Sequence, residues 1–164
     1  AALSGGQPII AVDLVDSKLE AALEFGATHT INPLKEDALA RVKELTNGRG
    51  ADYVFVTVGV KAAIDSAQNY ITRNGSVIVV GMPGVDTRGD YDPVTLAAWG
   101  QKIIGTKMGN SKLDEDIPRL LEHYQRGEIE LDSLISGRFT LAQINEALDQ
   151  VRKGEAVKNV IVMA

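Results

Sequence analysis

Short apolar runs alternate along this chain with stretches in which apolar residues recur every three or four positions. Pro8-Ile9-Ile10-Ala11-Val12-Asp13 is a continuous apolar run ending in an acid, which predicts a buried strand. Asp16 or Ser17 then reads as an N-cap. Leu19, Ala22, Leu23 and Gly26 follow at helical spacing, with Gly26 placed as the terminating glycine. His29 to Asn32 predicts a short strand closed by Pro33. Ala38, Leu39, Val42 and Leu45 form the next helical stripe, broken by Asn47-Gly48-Arg49-Gly50. Residues 51–58 are β-branched and aromatic and predict a strand ending at Gly59. A helix is expected from Lys61 to Tyr70, then a turn at Asn74-Gly75 and a strand from Ser76 to Val80.

The second half continues the alternation less cleanly. Residues 85–92 are polar and rich in turn formers, so they read as loop, and Pro93 to Trp99 fits either helix or strand. Lys102 to Thr106 predicts a strand. Pro118 is expected to open a helix carrying Leu120, Leu121 and Tyr124, after an acidic run, Asp114 to Asp116, that reads as its solvated approach. Thr140 caps a last helix with Leu141, Ile144, Ala147, Leu148 and Val151, and Asn159 to Val162 is the closing strand. Strands alternating with helices at this spacing imply βαβ units, a parallel sheet covered on both faces and a doubly wound α/β fold. No repeat or linker interrupts the pattern, so one domain over residues 1–164 is expected.

Composition narrows the chemistry. The chain has no cysteine, which excludes a disulfide scaffold, a thiolate zinc site, an iron–sulfur centre and a cysteine nucleophile. Its formal charge is -5 with no basic run, which argues against nucleic-acid binding. No apolar stretch is long enough to span a bilayer and no secretion signal is visible at the N-terminus, so a cytoplasmic protein with no membrane partner is expected. Without that signal, the Asn74-Gly75-Ser76 sequon reads as a turn. His29 and His123 are far apart in sequence and read as structural or exposed rather than as metal ligands. No nucleophile elbow, Walker motif or convincing carboxylate pair is present. No catalytic residue is assigned.

The remaining signals are positional. Asp13 ends a strand that leads into a helix. In a dinucleotide fold such an acid accepts hydrogen bonds from the adenosine ribose hydroxyls and repels a 2′-phosphate, which favours NAD over NADP. Lys18 lies at the start of that helix and reaches for the same ribose. An acid after a strand also serves as an ordinary lead-in to a helix, and position alone leaves both readings standing. Gly59 and Gly81 each follow a central strand, where a missing side chain lets the backbone approach a ring or a phosphate, or simply make a turn. The phosphate-gripping G-x-G-x-x-G fingerprint between strand and helix is absent. Ala1-Ala2-Leu3 is therefore expected to be the last turn of the helix that follows such a fingerprint.

In that context, five stretches carry a resemblance. They are AVDLVDSKLEAALEFGATHTINP, NGRGADYVFVTVG, NGSVIVVGMPG, IIGTKMG and RFTLAQINEALDQVRKGEAVKNVIVM. In this order and spacing the run from Ile9 to the C-terminus resembles the cofactor-binding domain of the medium-chain, zinc-dependent alcohol dehydrogenases. The resemblance implies a Rossmann-type sheet whose first central strand is missing, leaving a gap with unpaired backbone on both sides. It also implies roles: Asp13 and Lys18 on the ribose, with Leu14, Thr57 and Val58 lining the adenine and ribose side. Gly59 is the glycine after that strand. The backbone of Val80, Thr106 and Met108 would hold the nicotinamide carboxamide, with Met82, beside Gly81, packed on the ring. Lys158 would meet the pyrophosphate in place of an arginine, keeping the charge without the bidentate fork.

By the same resemblance, zinc, its cysteine and histidine ligands, the proton relay and most of the pocket for a small alcohol or aldehyde belong to an N-terminal half that these residues do not contain. The implied function is the NAD-binding part of an alcohol dehydrogenase-type oxidoreductase, inactive alone, with NAD held weakly for lack of the glycine loop. A homo-oligomer is implied too, with Pro93 to Gly105 taking part. A free-standing, non-catalytic nucleotide-binding or interaction module is the other reading.

Overall fold

Every strand ladder in the computed structural model, which describes residues 1–163, is parallel. The residues group into two units, Ala1–Lys112 and Leu113–Ala164. The first unit runs β1 (Ile10–Val12), α1 (Asp16–Glu24), β2 (His29–Ile31), α2 (Ala38–Leu45), β3 (Ala51–Val56), α3 (Lys61–Tyr70), β4 (Ile71–Val79), α4 (Pro93–Ala98) and β5 (Lys102–Gly105). A 3-10 turn at Ala2–Ser4 precedes them, closed by Gly5 in the left-handed region, and the unit is an α/β arrangement of parallel strands. No helix among the described residues is long and apolar enough to cross a membrane.

Local chemistry sets the helix ends. At the end of α1 the Ala27 N–H donates to Ala22 O (2.9 Å) and Gly26 N–H to Leu23 O (3.2 Å), with Gly26 at φ 93. That is a Schellman closure, and its left-handed residue is the one a glycine adopts without strain. The same closure ends α2, with Asn47 at φ 53 and Gly48 N–H donating to Lys43 O (2.7 Å). Asp37 caps the start of α2 by accepting from Ala40 N–H (3.0 Å). Helix α1 departs from expectation. Val15 is its N-cap, without a side-chain cap, and Asp16 lies in its first turn. The Asp16 carboxylate is instead engaged by Asn32 and Lys35.

Strands β3, β4 and β5 form one sheet with β4 central, and β1 pairs only with β2. No ladder joins β1 to β3 among the described residues, so each presents one unpaired edge. Two apolar clusters hold the unit. Val56, Ala67, Ile71 and Val77 bury α3 against β3 and β4, and Ile31, Ala38 and Val42 bury α2 against β2. Residues alternate along β3 as a strand requires: Val54 and Val56 pack inward, while Tyr53 and Phe55 point to the other face. Those two rings stack at 6.4 Å and are 64% and 57% exposed. The expectation of a sheet covered on both faces is therefore not met at β3.

Asn74-Gly75 does not separate two elements. Strand β4 runs through it: its register jumps from Ala51↔Ile71 to Tyr53↔Ser76, and the extra residues form a bulge with Asn74 at φ 59. Pro93 to Trp99 resolves as helix, because Asp92 Oδ1 accepts from Val94 N–H (2.9 Å) and Thr95 N–H (3.2 Å) and Pro93 occupies the first turn.

The second unit holds α5 (Leu113–Gln125), β6 (Ile135–Phe139), α6 (Ile144–Lys153) and β7 (Lys158–Ile161), with β6 and β7 paired in parallel. Pro118 lies inside α5 rather than at its start. The acidic run Asp114 to Asp116 is itself the first turn, where negative charge complements the helix dipole. Thr140 and Gln143 form a capping box before α6, and Gly154 closes that helix at φ 74.

Two buried glutamines fasten the first unit. Gln68 Nε2 donates to Asp92 O (2.9 Å) and to Gln101 Oε1 (3.1 Å), and Gln68 Oε1 accepts from Asp92 N–H (2.7 Å). Gln101 Nε2 donates to Ile71 O (3.2 Å) and Thr72 O (3.3 Å). Replacing Gln101 with alanine leaves these groups buried and unpaired, and should cost about 1–3 kcal/mol in urea unfolding. In the second unit, hydrogen bonds from Arg126 and then His123 hold the Glu128 carboxyl at about 2, below its ordinary 4.5. A depressed carboxylate stabilises fully above its unfolded value and loses that contribution as pH falls toward 2. Glu128→Gln should therefore lower the unfolding midpoint at pH 7, with the gap from the parent closing as pH falls from 4.5 to 2. A gap that stayed constant would refute the pairing.

Candidate functional site at the strand ends

The residues singled out from sequence in the first unit follow the carboxyl ends of β1, β3, β4 and β5. Asp13 directly follows β1, and its N–H donates to Ile31 O (3.2 Å), lengthening the ladder by one residue. Its Oδ1 accepts from Val15 N–H (2.9 Å), a side-chain turn that shapes the loop into α1. The second carboxylate oxygen has no protein partner among the described residues. Leu14 is 58% exposed, and Lys18 follows in the first turns of α1 with no ion pair among the described residues.

Thr57, Val58 and Gly59 leave β3 exposed. Val80 N–H (2.9 Å) and Gly81 N–H (2.8 Å) both donate to Val56 O, which ties the exit of β4 to the last residue of β3. The two exits then cross at very short range. A Cβ on Gly81 would lie 2.5 Å from Val58 C, and one on Gly59 would lie 2.5 Å from Met82 O and 2.9 Å from Pro83 Cα. The close approach that these glycines allow is thus made by each other's loops. It brings Val58, Gly59, Gly81 and Met82 into one constellation, with the Met82 side chain 83% exposed.

Thr106 N–H donates to Val79 O (3.0 Å), so the β5 exit is tied to β4 as well. The Thr106 hydroxyl is buried with no hydrogen-bond partner among the described residues. Met108 opens a 3-10 turn at φ 50 and is 73% exposed. Lys158 is the first residue of β7 and belongs to the second unit.

The loop after this constellation is pinned. Lys61 Nζ donates to Asp65 Oδ2 (2.8 Å) and to Asp90 Oδ2 (3.0 Å), and Asp90 N–H donates to Asp65 Oδ1 (2.9 Å). The paired Lys61 ammonium and the Asp90 N–H hold the Asp65 carboxyl below its usual range. Sequence reasoning missed this latch, and it missed Asn32, which lies buried beneath the Asp13 loop. In the sequence Asn32 reads only as the end of a strand before Pro33. No local pattern marks it, because its partners Leu14 and Asp16 lie 18 and 16 residues away. No group of three or more metal-ligating residues occurs among the described residues, and the chain has no cysteine, so these residues do not fit a zinc ion and no step through zinc is derived for this chain.

In open parallel α/β sheets ligands bind beyond the carboxyl ends of the strands, and this exposed constellation lies there. Residues 1–126 match the zinc-binding dehydrogenase family, and the chain belongs to it. It is 36% identical to the NDMA-dependent alcohol dehydrogenase of Amycolatopsis methanolica, over 99% of this chain and 44% of that protein. The structure of benzyl alcohol dehydrogenase from Acinetobacter calcoaceticus superposes with a TM-score of 0.95 at 33% identity, covering 100% of this chain and 45% of that one. A relative from Sinorhizobium meliloti 1021, bound to NADP, shares the fold at a TM-score of 0.81 and 22% identity, over 99% of this chain and 46% of its own. The chain thus spans less than half the length of these relatives and corresponds to their nucleotide-binding domain.

The crossing loops give a direct check. Gly81→Ala and Gly59→Ala each force a backbone shift and should cost about 1–3 kcal/mol in stability. Gly105→Ala, where a Cβ meets nothing within 4 Å, should be close to neutral in the same unfolding experiment. Equal effects at all three positions would refute the crossing.

Proposed function

We propose that this chain supplies the NAD-binding part of an alcohol dehydrogenase-type oxidoreductase. The observation that carries the reading is the Asp13 carboxylate. One oxygen is used to shape its own loop, and the other is left to accept from ribose hydroxyls. Lys18, one turn along α1, adds a cation beside the same ribose. Leu14, Thr57 and Val58 offer exposed surface to the adenosine side. The backbone at Val80, Thr106 and Met108 would hold the carboxamide, while Met82 packs on the nicotinamide and Gly59 and Gly81 let the two loops sit close enough to form one wall.

The cofactor, when bound, supplies the hydride chemistry. What this chain contributes is binding and orientation. A carboxylate at Asp13 disfavours a 2′-phosphate, so NAD is the proposed cofactor over NADP. The alcohol or aldehyde, the zinc and the proton relay would be met by residues beyond these. Self-association through the open edge of β5 and the segment from Pro93 to Gly105 is part of the same proposal, as is a cytoplasmic location.

Calorimetric titration tests the reading. The 164-residue chain should bind NAD weakly, because no glycine loop or helix N-terminus grips the pyrophosphate, and should bind NADP more weakly still. Asp13→Asn should weaken NAD binding by roughly ten- to a hundredfold, the range for a hydrogen bond to a charged group. The purified chain should turn over no alcohol. Absence of NAD binding at millimolar concentration, or a preference for NADP, would refute the cofactor reading. Alcohol oxidation by the chain alone would refute the division of labour.

A further inference from the structure

Asn32 carries no role in any motif discussed above, yet it is 6% exposed and fully bonded. Its Nδ2 donates to Leu14 O (3.1 Å) and to Asp16 Oδ1 (2.8 Å), and its Oδ1 accepts from Leu34 N–H (3.0 Å). A buried amide with both donors in use fixes the groups it meets. The two groups fixed here lie 18 and 16 residues away in sequence, on the loop that leaves β1 and on the first residue of α1. That loop begins at Asp13. Its backbone is held from the inside by Asn32 and from the front by Asp13's own bond to Val15 N–H.

Lys35 completes the arrangement by donating to Asp16 Oδ2 (2.6 Å). Both Asp16 oxygens are therefore occupied, by Asn32 and Lys35, whereas Asp13 keeps one oxygen open. Of two acids three residues apart, the network spends one as a brace and leaves the other available. The Asp16 carboxyl is correspondingly held below its usual range, first by Lys35 and then by Asn32.

We propose that Asn32 is a positioning residue for adenosine-ribose recognition, holding the Asp13–Asp16 loop so that Asp13, and not Asp16, discriminates a free 2′-hydroxyl from a 2′-phosphate. The inference rests on the reading of Asp13 as the ribose acid. It extends that reading to a buried amide that touches neither cofactor nor Asp13's carboxylate. Asn32 acts through the Leu14 carbonyl and the Asp16 side chain alone.

The test is a mutant cycle on the full chain, with NAD and NADP titrated calorimetrically and folding checked by urea unfolding. Asn32→Ala should weaken NAD binding about tenfold, within the range of couplings between contacting residues, and NADP binding by less, so that the preference shrinks. In an Asp13→Asn background the same Asn32→Ala change should have no further effect on NAD. A penalty of equal size in both backgrounds, or an equal loss for both dinucleotides, means a merely structural role and overturns the proposal. Asp16→Ala removes one of Asn32's partners at an exposed position, which keeps the proposal testable if Asn32→Ala does not fold. It should shift the preference in the same direction by a smaller factor, and an unchanged preference overturns the proposal. Failure of the underlying reading looks different: the parent chain binds no NAD, or Asp13→Asn alone leaves NAD binding intact.

Discussion

Strand β4 is bonded on both sides, and the candidate site takes its geometry from that one element. Val80 and Gly81 leave it and return hydrogen bonds to Val56 at the end of β3, while its Val79 carbonyl receives Thr106 at the end of β5. At its other end, Ile71 and Thr72 are held by Gln101. A parallel ladder brings the exits of neighbouring strands to the same edge, so three loops that are distant in sequence emerge together. The apolar cluster of Val56, Ile71 and Val77 against Ala67 fixes the strand in depth. Its backbone bonds fix it in register. Beyond it, Thr57 to Gly59 and Val80 to Met82 are held by those bonds and by the crossing of the two exits.

That arrangement changes the meaning of the two glycines. At a strand's carboxyl end a glycine invites interpretation as a place where a ligand meets the backbone. Here the missing side chains are first of all a condition for the β3 and β4 exits to cross, because a Cβ on either would fall within 2.5 Å of the opposite backbone. The packing explanation and the ligand explanation are not rivals. The crossing brings two backbones into direct contact, so a change at either glycine moves both exits. The glycines act on the crossing, and the crossing acts on whatever lies against it.

The elements legible in the sequence were those whose pattern has one physical cause. Helix α3 appears over the residues expected because its apolar stripe, Ala63, Ile64 and Ala67, meets a strand made of inward-facing valines. Gly26 ends α1 as expected because only a left-handed residue closes that turn without strain. What escaped had two causes acting at once. Asn74-Gly75 carries turn chemistry, but the ladder with β3 continues through it as a bulge. Pro118 has the residue type of a helix start, yet the acidic run ahead of it already satisfies the dipole. Strand β6 went unread because Ser136, Gly137 and Arg138 interrupt its apolar pattern, and Gly137 is there to make room for the Phe139 ring, 2.6 Å from where a Cβ would be. Of the candidate site, the place of Asp13 at the end of β1 was legible, while its role was not, because an acid after a strand fits either reading. Asn32 was not legible, since a buried amide is recognisable only by partners far away in sequence.

The first unit therefore has two differently built parts. Around β1 and β2 the candidate groups are side chains, an acid and a lysine, held by a buried amide and an ion pair. Around β3 to β5 the candidate groups are mostly backbone, held by the ladder and by glycine crossings. Side chains can be exchanged one at a time, so the part built on Asp13 is where selectivity between related ligands can change without disturbing the fold. Backbone positions shift only if the strands shift, so the other part changes only together with the fold. Between the two, β1 and β3 each keep an unpaired edge. On the proposed reading a dinucleotide would span both parts, so its binding would depend on how far apart β1 and β3 lie as much as on either set of contacts.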